Sequence, residues 1–206
     1  MKQFGCTLIL IGLFVYVYLM VSTGTLTQLQ HAKSFSTVPL PNVGGLTLAQ
    51  HPQPHPNAHS VIGTPSLSPS FIDQVLASAH SPAQGTGQAL YGLSNAYHID
   101  DAYALAFFEH ESSFGLTGMA RVTYSLGNIR CSQGYQCING YRAYDNWVAG
   151  YSDWFHLIET LYIKEWHLTT VEAIVPVYAP SSDGNNVSGY IAAVEQSVDA
   201  WQHGEV

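Results

Sequence analysis

Apolar residues along this chain fall into three regimes. Phe4 to Val21 is a near-continuous apolar run, interrupted only by Gly5, Cys6, Thr7 and Gly12. As a helix it spans about 27 Å at 1.5 Å per residue, close to the thickness of a bilayer's hydrocarbon core. From Ser22 to Ser70 the apolar residues follow neither a period of 2 nor one of 3.6, and seven of the ten prolines fall between Pro39 and Pro69. Such a stretch cannot bury enough surface to offset its ordering entropy. From Ser68 onward, helical spacing takes over. The expected division is an anchor or signal peptide over 1–22, a Pro-rich linker over 23–67 and a folded domain over 68–206.

Within that domain, Ser68-Pro69 is a helix start followed by Phe71, Ile72, Val75, Leu76 and Ala79 at helical spacing, and His80-Ser-Pro82 stops it. A second helix is predicted over Gly87–Tyr97, and a third, capped by Asp100, ends around Ser112. Residues 115–144 change character. Glycines recur at 115, 118, 127, 134 and 140 beside β-type runs such as Arg121–Ser125, which predicts a small β-rich lobe. Asp145 or Asn146 opens a long amphipathic helix on which Trp147, Tyr151, Trp154, Ile158 and Leu161 form a stripe, widened by Val148, Phe155 and Tyr162. Thr169-x-x-Glu172 reads as a capping box for a short helix ended by Pro176. A last helix from about Asn186 aligns Val187, Ile191, Val194, Val198 and Trp201. The expected fold is mainly α (α+β): six helices around a small β insertion, enough to bury one core.

Charge narrows the partners. Residues 1–70 hold Lys2 and Lys33 and no acid; the rest holds four basic residues against all fourteen acidic ones. No basic footprint for nucleic acid is present. Only 10% of residues are charged and 12% are aromatic, a balance that suits contact with an uncharged polymer such as a glycan. Lys2 before the apolar run places the N-terminus in the cytoplasm and residues 25–206 outside it. A cleaved signal peptide remains the alternative, although Val21-Ser22-Thr23-Gly24 is not a clean cleavage site.

Outside the cytoplasm, Cys131 and Cys137 are expected to pair across a small hairpin. Cys6 lies within the apolar run. His51, His55 and His59 recur every fourth residue, but Pro52, Pro54 and Pro56 forbid the helix that would align them, so a polar spacer is expected there. The domain is expected to use no metal and no cofactor.

The candidate chemistry centres on Glu111, in the last turn of a strongly apolar helix followed by Ser112, Ser113, Phe114 and Gly115. Apolar surroundings disfavour a carboxylate's charged form, so such a group holds a proton near neutral pH and can protonate a glycosidic oxygen. Glu109 is two residues away, about 200° round a helix, so the two cannot face one bond. Spacing alone leaves open whether Glu111 is catalytic or a buried carboxylate bonded to main-chain amides.

The run Ile99-Asp-Asp-Ala-Tyr-Ala-Leu-Ala-Phe-Phe-Glu-His-Glu-Ser-Ser-Phe-Gly115 resembles the catalytic-helix signature of the lysozyme-like superfamily. The closer resemblance is to its glucosaminidase branch, bacterial peptidoglycan hydrolases with a mannosyl-glycoprotein endo-β-N-acetylglucosaminidase-like domain. Leu126-Gly-Asn-Ile129, Gly140–Trp147 leading into Tyr151-Ser-Asp-Trp154, and Val177-Tyr-Ala-Pro180 with Tyr190 downstream resemble further segments of that family, in its order. The resemblance implies a lysozyme-like fold and peptidoglycan glycan strands as partner, reached from the membrane through the N-terminal segment. It implies Glu111 as proton donor, Tyr178 as the cleft tyrosine that positions substrate or water, and Asn128, Tyr144 and Phe114 as substrate contacts. Two departures stand out. Residues 115–144 hold no acid, so Asp145 is the first candidate for a second carboxylate, unless it merely caps a helix. Pro180-Ser181 replaces the family's Thr-Asp. Without a second carboxylate, the substrate's own N-acetyl group or 6-hydroxyl would serve as internal nucleophile. The alternatives are a lytic transglycosylase and a catalytically silent glycan-binding domain.

Overall fold

Ser68 accepts the amide of Phe71 on its hydroxyl, and Pro69 brings a preset φ, so helix α1 (Pro69–Ser78) begins where the sequence places it. The computed structural model describes residues 59–206; the apolar run Phe4–Val21, with Cys6, His51, His55 and the proline-rich stretch as far as residue 58, lies outside the described residues. Among the described residues no helix is long and apolar enough to cross a membrane. Helix α2 (Gly87–Tyr97) ends at His98 in a left-handed conformation. Helix α3 (Asp101–Ser112) starts at Asp100, whose Oδ1 accepts the amide of Ala102 at 3.0 Å.

The mainly helical expectation holds, and the expected β-rich lobe contracts. Arg121–Ser125 does not form a strand. Ala120–Thr123 is a short helix, α4, in which the Met119 carbonyl takes both the amide and the hydroxyl of Thr123. Its β-branched residues favour extended backbone, but no neighbouring strand satisfies them there. What remains is a hairpin of β1 (Cys137–Ile138) and β2 (Tyr141–Arg142), antiparallel, with Cys137 opposite Arg142. The Cys131–Cys137 disulfide closes its approach, as expected, with Cα atoms 5.7 Å apart.

Helix α5 (Trp147–Leu157) is capped by Asn146, whose Oδ1 accepts the amide of Ala149 at 3.0 Å. It continues over Ile158–Glu165 in the wider π geometry, which the amphipathic spacing does not announce. Tyr151, Trp154, Phe155, Ile158 and Tyr162 are buried along it, whereas Val148 is exposed. Helix α6 (Val171–Tyr178) is capped by Thr170 rather than Thr169, and Pro176 sits inside it instead of ending it. Proline there removes only the amide that would bond the Glu172 carbonyl, and the helix ends two residues later. Helix α7 (Val187–Gln202) is capped by Asn186 and buries Tyr190, Val194, Val198 and Trp201.

The core is built round α3. Every residue from Asp101 to Phe108 is buried, so the helix is apolar on all sides and needs partners on all sides. It lies along α7, while α1 packs on α2, α2 on α5, and α6 on α7. Phe108 stacks on Tyr151 with ring centroids 5.2 Å apart and meets the edge of Trp154 at 5.2 Å. Phe107 meets Trp154, Tyr178 and Tyr190 at 5.5, 5.5 and 5.6 Å. Each such pair contributes about 0.5–1.5 kcal/mol beyond the area it buries.

The expected boundary at Ser68 is too late. Residues 59–67 belong to the fold: Val61 is 1% exposed and Leu67 5%. The segment is bonded to two stretches of main chain, with Val61 donating to the Thr169 carbonyl, Val171 to His59, Asp100 to Val61 and Gly63 to His98. Leu67 and Ser66 then donate their amides to Asp101 Oδ1 at 3.0 Å. Two apolar residues among prolines show no periodicity, and main-chain partners 35 to 112 residues away leave no mark in local sequence.

Gly150 carries a sharp expectation. A Cβ there would stand 2.1 Å from the main-chain oxygen of Tyr124, so only glycine lets the turn after α4 rest on α5. Gly150→Ala is expected to cost about 3 kcal/mol, since backbone gives way less readily than a side chain. A urea midpoint equal to wild type would refute this contact.

Candidate active site

Helix α3 delivers Glu111 to its C-terminal turn, where left-handed residues follow one another. Ser113, Phe114 and Gly115 have φ of 47°, 54° and 85°. The amide of Ser113 returns to the Glu109 carbonyl at 2.8 Å and that of Phe114 to Phe108 at 3.1 Å, which closes the helix. Ser112, fully buried, donates to the Leu126 carbonyl at 2.8 Å and accepts the amide of Gly115 at 2.9 Å. These bonds tie the end of α3 to the loop 125–130.

That loop supplies Asn128, itself left-handed, whose Nδ2 donates to the main-chain oxygen of Glu111 at 2.6 Å. A helix's last carbonyls have no partner within the helix, and Asn128 supplies one. The Glu111 carboxylate accepts the hydroxyl of Tyr190 at 2.8 Å, from α7. Glu111 is half-buried, and no cation lies within salt-bridge distance of it among the described residues. Burial pushes its carboxyl above the ordinary range. The Tyr190 hydrogen bond, the nearby Asn128 amide and the charge of Arg130 pull the other way without cancelling it. Glu109 turns elsewhere, accepting Ser197 Oγ at 2.6 Å.

Beside Glu111 lies a groove of about 270 Å³. Asn128, Arg130, Arg142, Tyr162, Tyr178 and Asp183 are among the residues that line it. Glu111 is not one of the lining residues; it is joined to the wall through Asn128 and stands near Tyr162 and Tyr178, whose phenols its charge helps to raise. Tyr178 donates its hydroxyl to the Gly127 carbonyl, and burial, before the nearby Glu111, pushes its phenol well up. Gly127 allows this approach. A Cβ there would lie 2.5 Å from Trp154 and 2.8 Å from the Tyr178 oxygen.

The structure therefore brings Glu111, Asn128 and Tyr178 together and separates the other candidates. Phe114 is 3% exposed and packs toward Trp201, with centroids 6.3 Å apart; it belongs to the core and not to a ligand surface. Asp145 is exposed and does not line the groove, and Asn146 takes the capping role, so Asp145 fills neither of its expected places. Tyr144 also stands off the groove. Its hydroxyl donates to Asp153 Oδ2 at 2.6 Å. The same oxygen receives Arg142 Nη1 at 2.7 Å, and Arg142 Nη2 donates to Ser132 Oγ at 2.8 Å. Tyr144 thus steadies a carboxylate that fixes the groove's inner arginine.

Sequence reasoning missed the residues that complete this site. Arg142 and Tyr162 line the groove, as do Arg130 and Asp183, whose Nη2 and Oδ2 are bonded at 2.8 Å. Tyr190 was visible only as a spaced tyrosine, with nothing local to pair it with Glu111. Asp153, within Tyr151-Ser-Asp-Trp154, is the partner that gives Tyr144 its place. Compared with known protein families and with curated proteins, the chain matches none.

Proposed function

We propose that this protein is a glycoside hydrolase that cleaves β-1,4 bonds of peptidoglycan at N-acetylglucosamine, with Glu111 as the proton donor. The observation that carries this reading is the state of Glu111. Burial raises its carboxyl above the ordinary range, a hydroxyl orients it, and its main-chain oxygen is bonded by Asn128, which lines a polar, aromatic groove. An acid that keeps its proton more readily than an ordinary carboxyl is what departure of a glycosidic oxygen requires. Tyr178 and Asn128 stand at the wall where substrate would lie. The resemblance to glucosaminidase domains points the same way, and an N-terminal anchor would hold the domain on the outer side of the membrane, facing the wall.

A second carboxylate is where this site departs from a two-acid glycosidase. Asp183 alone among the acids lines the groove, and it is engaged by Arg130. One acid suffices if the substrate supplies the nucleophile. The 2-acetamido oxygen would give a hydrolase, and the 6-hydroxyl would give a 1,6-anhydro product and make the protein a lytic transglycosylase. Digesting purified wall with the full chain and identifying the released ends by mass spectrometry separates these. Reducing N-acetylglucosamine ends support the hydrolase, and anhydro ends support the transglycosylase. Binding with no new ends overturns both and leaves a glycan-binding domain.

The pH profile gives a finer check. Glu111 acts only while protonated, so activity falls as pH rises through its folded pKa. The Tyr190 hydroxyl favours the charged form. Tyr190→Phe removes that bond and is expected to move the alkaline limb of kcat to higher pH. An unmoved limb, or one moved down, would separate Tyr190 from the acid.

A further inference from the structure

Three segments far apart in sequence meet at one place on the domain. His59 arrives on the extended segment bonded to the Thr169–Val171 main chain. Glu172 lies in the first turn of α6, and Glu195 lies midway along α7. One ligand-capable atom from each stands within 4.8 Å of the other two. His59 Nδ1 is 3.3 Å from Glu195 Oε1, yet this buried nitrogen makes no hydrogen bond. Glu172 Oε2 is likewise buried and without a hydrogen-bond partner. On the other side of the ring, Asp199 Oδ1 is 3.5 Å from Nε2.

This arrangement is costly as it stands. A buried polar atom left without a partner costs about 1–3 kcal/mol, and more when it is charged. Here three carboxylates lie round one imidazole, and a cation held among them would offset their charge. Ligand distances offer a better solution. Imidazole nitrogen and carboxylate oxygen bind zinc at about 2.0–2.2 Å, which puts neighbouring ligands of a tetrahedron roughly 3.4 Å apart. The His59–Glu195 separation matches that edge. An imidazole whose second nitrogen faces a carboxylate is the usual outer support of a metal-bound histidine, since the carboxylate fixes the tautomer and raises ligand basicity.

We propose that His59, Glu172 and Glu195 form a binding site for a divalent transition ion, with Asp199 orienting the imidazole. Imidazole combined with carboxylates suits zinc and its first-row neighbours better than calcium, which prefers oxygen alone. Three protein ligands leave one position of the ion to solvent. The site shares no residue with the groove beside Glu111, so it stands independently of the proposed hydrolase. Its effect is structural: the ion would lock the start of the domain to α6 and α7. The sequence expectation of a plain polar spacer misses it because Glu172 and Glu195 lie more than a hundred residues further along the chain than His59.

The test uses the full chain, stripped with a chelator and titrated with zinc by calorimetry and thermal unfolding. One ion per chain is expected to bind and to raise the melting temperature by several degrees at saturation. Glu172→Gln and Glu195→Gln are each expected to weaken zinc binding by about 100-fold or more, against no change for His167→Gln, an exposed histidine elsewhere. Absence of binding, or affinity unchanged in both glutamine variants, would overturn the proposal. Should a variant fail to fold, X-ray absorption on the zinc-loaded wild type decides. One imidazole among oxygen ligands supports the site, and two or more imidazoles sink it.

Discussion

Glu111→Gln is expected to leave a folded protein that still binds wall glycan and releases about 10²- to 10⁴-fold fewer ends per unit time, the usual contribution of a positioned general acid. Glutamine has the same shape, and its carbonyl oxygen can still accept the Tyr190 hydroxyl bond that Glu111 Oε1 accepts at 2.8 Å. It cannot give up a proton. The fold should therefore survive, because the other ties at this corner run through the Glu111 main-chain oxygen and through Ser112. Glu109→Gln is the matched control. That side chain accepts from Ser197 on a different flank of α3, and substantial activity is expected to remain. Release of ends by the Glu111 variant at the wild-type rate would remove the acid from the mechanism, whatever the wall digest had shown.

The second large effect concerns stability against pH and rests on Asp101. This side chain is fully buried at the start of α3, and burial raises its carboxyl from 3.8 to about 7, with the adjacent Asp100 adding to the rise. The folded protein therefore holds a proton over a window, from about pH 4 to about pH 7, in which the unfolded chain has released it. Stability from this group is fully present below that window and is lost as pH rises through it. A rise from 3.8 to about 7 corresponds to ~4 kcal/mol at most. Asp101→Asn keeps an oxygen for the amides of Ser66 and Leu67 and carries no charge. Urea midpoints measured across the window should slope downward for wild type and markedly less for the variant. Glu111 contributes a slope of the same sign in both proteins, so the difference between them isolates Asp101. Parallel slopes would show that Asp101 is ionised in the folded state.

How far the sequence alone reaches is clearest at particular residues. Ser68, Asp100, Asn146 and Asn186 were readable because a cap is a local bargain between one side chain and amides two or three residues on. The stripes of α5 and α7 were readable because burial on one face imposes a period. Helix α3 defeated periodicity. It is buried on every side, so Glu109 and Glu111 could not be told apart by face, and Tyr190 and Ser197 separate them only in three dimensions. Val122 and Thr123 misled, because β-branched residues favour strands only where a neighbouring strand exists. Asp145 and Phe114 were placed by position in a motif, but exposure in one case and close packing in the other decided against them. His59 was judged by its nearest histidines, whereas its neighbours in the fold are acids from α6 and α7.

The segment 59–63 also sets how the molecule bears mechanical load. Four main-chain bonds hold it, from Val61 to Thr169, Val171 to His59, Asp100 to Val61 and Gly63 to His98, and they are spread along its length. Tension drawn along the strand must shear these bonds together, whereas a peeling force would break them in turn. The domain is thus gripped at its leading end in the geometry that resists pulling best.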